Sequence, residues 1–273
     1  MSGQSLCGAR IVNTTMADRV VRSIGITQRM IIAVEENENQ MKNKVFTFWE
    51  GYLPKYIDLC MYSWDFPFAV LNYANLHEFT DIDVNKLSRF TLPQIADVVR
   101  VHVLRDNGGY WLDADTIVLS KDLPEANLLG DPETRTNSIG FLHTEPYSDM
   151  FVEWAKYQDE VLSDPNSSTH WSVMGNDFTD RYVREHNDIV IGPIKYSFPE
   201  TYMIPGGIPR FNKYREFYFE KNYELSDLKP TDLIMLHNSW TPQEYKTKTV
   251  KDILDGHCTL SNILRERYHE IDY

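Results

Sequence analysis

Two aspartates, Asp113 and Asp115, follow the apolar residues Tyr110, Trp111 and Leu112. On an extended backbone, residues two apart point to the same side, so the two carboxylates would repel unless a cation lies between or beside them. Carboxylate oxygens are the ligands that Mg²⁺ and related hard cations prefer. The pair therefore predicts a divalent-cation site. A lone Asp-x-Asp is common by chance, and a solvated strand end is the alternative interpretation for an isolated match.

The residues that precede the pair favour the cation site. Thr91 and Gln94 form a capping box, and the apolar spacing that follows predicts a helix over residues 91–104. Gly108 and Gly109 end this helix, and residues 110–119 alternate as a strand. The acids would thus lie at the carboxyl end of a buried strand, where open α/β sheets bind their ligands.

The strands predicted further upstream indicate a parallel sheet. Residues 45–49 and 68–72 are short β-rich runs, and a helix is predicted between them from Pro54. Strand, helix and strand in this order predict a right-handed βαβ unit. We divide the chain into a helical extension with a polar linker (1–43) and an α/β domain (44–273). The basic start of the extension is compatible with a docking helix or with a solvated one.

Composition excludes several classes of protein. With a net charge of −13 and no basic block, the chain is a poor candidate for nucleic-acid binding. The three cysteines are scattered, which argues against a disulfide framework or a cysteine-based zinc site. No signal peptide or long apolar stretch is visible, so we expect a cytoplasmic protein, with peripheral contact at the inner face of the plasma membrane as an option.

The central block resembles the Asp-x-Asp region of retaining glycosyltransferases related to the capsular polysaccharide synthesis proteins and to the Och1-type mannosyltransferase family. Those families carry an acid-x-x-Arg helix followed by Gly-Gly, an aromatic strand and Asp-x-Asp. The matching residues here are Asp97, Arg100, Gly108, Gly109, Tyr110, Asp113 and Asp115. Residues 45–51 also look like the first strand of those families, and His237 to Trp240 looks like their C-terminal His-x-x-Trp.

The resemblance implies a GT-A fold, which is a Rossmann-like nucleotide-binding sheet flanked by helices. It implies that Asp113 faces the donor sugar or ribose and touches the metal, and that Asp115 ligates an Mn²⁺ or Mg²⁺ bound to the diphosphate. His237 would be the third ligand, although a hydrogen-bonded core histidine is an equal alternative. Tyr110 would belong to the donor site.

Five further residues are candidates with structural alternatives. Asp97 would bind a donor hydroxyl while Arg100 holds Asp113 or a phosphate, or the two form only an intrahelical ion pair. Phe48 and Trp49 end the first strand, and Trp49 would stack on the nucleotide base unless both rings are core residues. Asp177 would reach the acceptor or the reacting sugar, or serve only as a turn residue.

The sequence therefore predicts a metal-dependent transferase that moves a hexose from a nucleotide sugar, with a UDP-sugar expected, to a saccharide acceptor, and that retains the anomeric configuration. The acceptor would be a free or lipid-linked saccharide of a bacterial capsule or cell surface. Two alternatives remain, a sugar-1-phosphate nucleotidyltransferase and a non-catalytic carbohydrate-binding relative of the same fold.

Overall fold

The computed structural model describes residues 44–193, 211–228 and 230–271, so the predicted extension lies outside the described residues. Within these ranges the strands are β1 (Val45–Phe48), β2 (Phe68–Leu71), β3 (Gly109–Leu112), β4 (Thr116–Val118), β5 (Leu128–Asp131), β6 (Thr136–Thr144), β7 (Ile191–Pro193) and β8 (Leu233–Met235). The α-helices are α1 (Lys55–Tyr62), α2 (Leu92–Asn107), α3 (Asp149–Ser163), α4 (Asn176–Glu185), α5 (Phe211–Arg215), α6 (Gln243–Lys246), α7 (Val250–Leu254) and α8 (Thr259–Ile271).

A six-stranded mixed sheet in the order β2-β1-β3-β6-β5-β7 forms the centre of the fold. The predicted parallel unit is confirmed, because β1 pairs in parallel with both β2 and β3. All four residues of β1 are buried, as expected for a parallel strand covered on both faces. Beyond β3 the sheet turns antiparallel, since β3 pairs with β6 in the opposite direction.

Helices cover both faces of this sheet. Phe46 and Trp111 enter one apolar cluster with residues of α2, α3 and α4, whereas Val45 and Leu112 enter a second cluster with residues of α1 and α8. Successive strand residues point to opposite faces, so each strand contributes to both clusters. The architecture is therefore α/β with a flanked central sheet, as expected for a GT-A fold.

The boundaries of α2 follow from its sequence. The capping box of Thr91 and Gln94 begins the helix, as predicted. Gly108 and Gly109 end it, with φ angles of 65° and 89° that favour glycine. A Cβ atom added at Gly108 would lie 2.6 Å from the ring of Pro146, so this exit from the helix also requires a close approach of the backbone.

The predicted strand over residues 110–119 is wrong in its middle. The main-sheet strand ends at Leu112, and a turn closed by the Thr116 amide donating to the Asp113 carbonyl (2.9 Å) separates it from β4. β4 leaves the main sheet and pairs antiparallel with β8. Aspartate favours turns because its side chain competes for local backbone hydrogen bonds. The apolar residues on both sides of the turn hid it in the sequence.

None of the helices in the described ranges has the length and apolar character that a membrane span requires.

Candidate functional site

The acidic pair occupies the turn between β3 and β4. The amide of Asp113 donates to the carbonyl of Gly140 on β6 (2.9 Å), which holds the start of the turn against the main sheet. At its other end, the carbonyl of Asp115 accepts from the amide of Leu236 (3.1 Å), just after β8. The carboxylates therefore belong to a tight turn that is anchored on both sides. The prediction that an extended strand places both acids on one side is corrected accordingly.

Arg100 links the acids of α2 to the acids of the turn. Its side chain is buried, and one guanidinium nitrogen lies 3.0 Å from Asp97 and 3.1 Å from Asp113. A second nitrogen donates to the carbonyl of Ile139 on β6, and the guanidinium lies over the ring of Trp111. The intrahelical ion pair and the contact with Asp113 were alternatives in the sequence, and here both occur at once.

Asp113 is held firmly by one carboxylate oxygen. Its Oδ1 accepts from the indole nitrogen of Trp111 (2.9 Å) in addition to contacting Arg100. Its Oδ2 lies close to Gly140, where an added Cβ atom would come within 2.9 Å of it. The side chain is 37% exposed, so this carboxylate can meet a ligand from solvent.

Asp115 is the more deeply placed carboxylate and has no ion-pair partner among the described residues. Its Oδ2 accepts from the amide of Asn238 (2.7 Å), and the Asn238 side chain accepts from the hydroxyl of Tyr56. The pKa of Asp115 is raised to about 7, first by burial and then by the charge of Asp113. The hydrogen bond from Asn238 lowers the pKa by less than Asp113 raises it. Charge on this group is thus costly without a cation nearby.

Asp97 has a similar electrostatic character. Its side chain is 13% exposed, and burial raises its pKa to about 7 although Arg100 opposes this shift. The charge of Asp113 adds to the rise. Near pH 7 the carboxyl groups of Asp97 and Asp115 are therefore each only partly ionised.

His237 lies close to the acidic turn. Its ring packs against Trp240 (4.4 Å between centroids) and Tyr214 (5.5 Å), and its amide donates to the Tyr214 hydroxyl. Burial lowers the pKa of the imidazole, while the charge of Asp113 partly opposes this. The lowered pKa favours the neutral imidazole, which is the form that binds metal ions.

Comparison with known proteins identifies the family to which this arrangement belongs. The family model of the capsular polysaccharide synthesis proteins matches residues 9–259, which is most of the chain. The chain belongs to this family. A solved structure, the PaToxG glycosyltransferase, has a TM-score of 0.36 and 11% identity over 62% of this chain and 81% of that chain, which is too distant to support any inference. No curated protein matches.

In this capsular polysaccharide synthesis protein, the residues of the turn fit a hard divalent cation. Asp115 is half-buried and forms no ion pair with the described residues, although the charges of Arg100 and Lys246 reach it, and a cation there would relieve its repulsion from Asp113. The described residues contain no cluster of three or more His, Cys, Asp or Glu side chains arranged to hold a metal. His237 is therefore a neighbour of the turn, and its role as third ligand stays a prediction. Mg²⁺ is commonly bound by one or two carboxylates together with substrate phosphates, so two carboxylates suffice for the fit.

Two of the predicted nucleotide-site residues lie at the edge of the sheet that carries the acidic turn. β1 runs parallel to β3, and both end at this edge. Phe48 is only 7% exposed and packs against Tyr73, so its ring is part of the core. Trp49 is half-buried, with its indole nitrogen donating to the Tyr52 carbonyl (3.1 Å). Trp49 therefore remains the better candidate of the two for contact with a base.

Tyr110 does not join the acidic turn. Its ring stacks on His143 at 4.1 Å and contacts Phe141. Tyr110 and Trp111 are successive strand residues, so they point to opposite faces of the sheet, and it is Trp111 that contacts Asp113. A donor-binding role for the Tyr110 side chain finds no support in these contacts.

Asp177 lies in the first turn of α4. Its carboxylate accepts from the hydroxyl of Ser172 (2.6 Å) and lies 2.9 Å from His170. These contacts resemble the turn-forming role that the sequence offered as an alternative. The loop before α4 nevertheless reaches the site, because Gly175 packs against the carboxylate of Asp97.

Sequence reasoning missed three residues that support the acidic turn: Gly140, Tyr56 and Asn238. Asn238 follows His237, a residue that the sequence did single out, and its backbone amide rather than its side chain contacts Asp115. No local pattern identifies a backbone donor of this kind. Gly140 lies within a β-rich run, where an isolated glycine is a signal of close backbone approach that could have been used.

Proposed function

We propose that this capsular polysaccharide synthesis protein is a metal-dependent glycosyltransferase. It transfers a hexose from a nucleotide sugar, with a UDP-sugar as donor, to a free or lipid-linked saccharide acceptor, and it retains the anomeric configuration. The observation that carries the proposal is the turn of Asp113 and Asp115 at the carboxyl end of β3, where open α/β sheets bind ligands, with a half-buried carboxylate, Asp115, that forms no ion pair with the described residues.

Each side chain of the site has a task in this reaction. Asp113 and Asp115 would hold Mn²⁺ or Mg²⁺, which when bound supplies positive charge to the departing diphosphate. Arg100 fixes the orientation of Asp113 through the 3.1 Å contact and screens Asp97 from it. His237 lies at the same turn and would complete the metal site or contact the phosphate. Such preorganised charge is the largest contribution that a site of this kind makes to catalysis.

Asp97 is suited to binding a sugar hydroxyl. With a pKa raised to about 7 by burial, its carboxyl group can either accept or donate a hydrogen bond near neutral pH. Asp113 and Asp97 are both paired with Arg100, and Asp115 is assigned to the cation, so none of these acids is assigned as a covalent nucleophile. We infer that the acceptor hydroxyl attacks from the face of the leaving diphosphate, and that a diphosphate oxygen takes its proton.

The test is release of UDP from UDP-hexoses, with and without Mn²⁺, by the wild-type chain and the variant Asp115→Asn. We expect wild-type turnover that needs the cation and a loss of at least about 100-fold in the variant, the scale found when one electrostatic contact to a developing charge is removed. The matched control is Asp106→Asn, which removes an acid of the same helix as Arg100 that pairs with Arg105. It should keep normal turnover.

Three results would contradict the proposal. Release of pyrophosphate from a nucleoside triphosphate and a sugar phosphate would indicate a nucleotidyltransferase. Saccharide binding with no turnover of any UDP-, GDP- or CMP-sugar would indicate a non-catalytic relative. Normal UDP release by a folded Asp115→Asn protein would show that the acidic turn is not the reacting centre.

A further inference from the structure

A loop with an exposed indole lies beside the candidate site. Residues 168–177, which we call the Trp171 loop, connect α3 to α4 and include the first residues of α4. Trp171 is 77% exposed, which is the highest value among the exposed large apolar side chains in the described part of the chain. A single exposed apolar residue needs no explanation by itself, so the argument depends on what surrounds it.

The Trp171 loop is anchored at both ends by buried hydrogen bonds. The side-chain amide of Gln94 donates to the carbonyls of Thr169 (3.0 Å) and His170 (2.9 Å). At the other end, Gln158 (2.6 Å) and the indole of Trp154 (3.0 Å) both donate to the carbonyl of Met174. The exposed indole therefore projects from a fixed backbone, and binding a ligand costs little ordering of the chain.

Polar side chains are fixed in place beside the indole. Asp177 accepts from Ser172 (2.6 Å) and pairs with His170 (2.9 Å), and the Ser172 hydroxyl also lies 3.2 Å from the His170 ring. His170 and Asp177 keep 47% and 36% of their side chains exposed. An aromatic face with prearranged hydrogen-bonding groups beside it suits a sugar ring, whose C–H face stacks on the indole while its hydroxyls reach the polar groups.

The inner end of the Trp171 loop touches the acidic site. A Cβ atom added at Gly175 would lie 3.2 Å from Oδ2 of Asp97. Asp97 in turn contacts Arg100, and Arg100 contacts Asp113. A saccharide lying on Trp171 would thus be separated from the proposed donor site by one end of a short loop.

We propose that the Trp171 loop is the acceptor subsite and that it binds a neutral sugar residue of the acceptor saccharide. The inference rests on the proposed function, because it needs a transferase with two sugar substrates. Trp171 supplies the stacking surface, and His170, Ser172 and Asp177 supply hydrogen bonds. The carboxylate of Asp177 and the net charge of −13 disfavour an anionic sugar at this position.

The experiment measures saccharide binding and donor turnover separately in the full chain. Binding of neutral methyl hexopyranosides and disaccharides, with methyl glucuronide as an anionic probe, is followed by saturation-transfer NMR in the presence of UDP and the diamagnetic cation Mg²⁺. Donor turnover is followed as UDP release to water, which needs no acceptor. The variants are Trp171→Ala, Trp171→Phe and the control Tyr147→Asn, each checked for an unchanged melting temperature.

Tyr147 is a matched control because it is also exposed (67%) and aromatic. Its neighbour Pro146 packs against Gly108, which precedes β3, whereas the acidic turn follows the end of β3. Tyr147 is therefore next to the end of β3 that is opposite the acidic turn. Its φ of 58° lies in the left-handed region, which asparagine tolerates. Removing this ring should leave both saccharide binding and UDP release unchanged.

We expect Trp171→Ala to weaken binding of a neutral sugar by about tenfold, from the energy of one aromatic contact, and Trp171→Phe to weaken it less. UDP release to water should stay at the wild-type level in both variants. Wild-type affinity in Trp171→Ala, no binding of any neutral probe to the wild type, or tighter binding of methyl glucuronide would each overturn the acceptor subsite. Absence of UDP release from the wild type would instead refute the proposed function, whatever the sugars do.

Discussion

Replacing Arg100 by methionine tests the electrostatic reasoning at the centre of the site. The change keeps most of the side chain's length and removes the charge that serves both Asp97 and Asp113. Leaving a buried charge without its partner costs about 3–5 kcal/mol. Asp113 is 37% exposed and solvent will screen part of its charge, so we expect about 3 kcal/mol of lost stability at pH 8.

The cost should depend on pH, and its sign follows from Asp97. The pKa of Asp97 is raised by burial to about 7 even with Arg100 present, and removal of the guanidinium raises it further. At pH 5.5 the group is then protonated, and a neutral carboxyl has little need of a cation. The part of the penalty that comes from Asp97 should therefore disappear at pH 5.5, and the total should shrink to about 1–2 kcal/mol, the range left for lost hydrogen bonds that include the contact with Asp113.

Urea unfolding of the wild type and of Arg100→Met at both pH values measures this difference. The control is Arg105→Met on the same helix, because the side chain of Arg105 is 19% exposed against 5% for Arg100, and its partner Asp81 is 91% exposed. Its cost should be about 0.5–1 kcal/mol, as for a pair near the surface, with little dependence on pH. A penalty for Arg100→Met below that of Arg105→Met, or one equal at pH 5.5 and pH 8, would refute the assignment of Arg100 as the shared counter-ion.

Two further predictions concern the acidic turn. The apparent affinity for Mn²⁺, measured by titration calorimetry, should rise from pH 6 to pH 8 and level off above pH 8. The reason is that the cation competes with a proton on Asp115, whose pKa is raised by burial to about 7. Binding of Mn²⁺ that does not depend on pH would contradict this site. Gly140→Ala should raise the KM for the UDP-sugar and cost about 1–3 kcal/mol of stability, because the new Cβ would lie 2.9 Å from Asp113. The equally crowded Gly192→Ala should affect stability alone, since its neighbours are Ala126 and Leu129; a normal KM in Gly140→Ala would show that the position of Asp113 is not critical.

Local signals in the sequence predicted the elements on the amino-terminal side of the site. Three signals each act within a few residues: the capping box of Thr91 and Gln94, the glycine pair after α2, and the β-rich runs of β1 and β2. The helix and strands that they specify can therefore be predicted from the local sequence. The ion pairs of Arg100 also followed from its position, since a buried arginine requires acidic partners.

The sequence could not show the interruption of the strand at the acidic pair. Residues on either side of the turn are apolar, and alternation continues through it. The outcome is decided by β8, more than a hundred residues further on, which pairs with β4 and draws it out of the main sheet. Long-range pairing of this kind is absent from any local pattern. The donor-binding roles predicted for Phe48 and Tyr110 find no support in their ring contacts. The reason is related, because the assembled sheet decides which face of a strand meets the site.

The turn also explains why two segments so distant in sequence form one site. Pairing of β4 with β8 places the amide of Asn238 against Asp115 and brings His237 within electrostatic reach of Asp113. Pairing of β3 with β6 places Gly140 against Asp113. Each carboxylate is thus positioned by a different sheet. A cation held between them would join the main sheet to the β4–β8 ribbon, and the energy of binding it would also stabilise their contact. Cation binding should therefore raise the stability of the wild type but not that of Asp115→Asn.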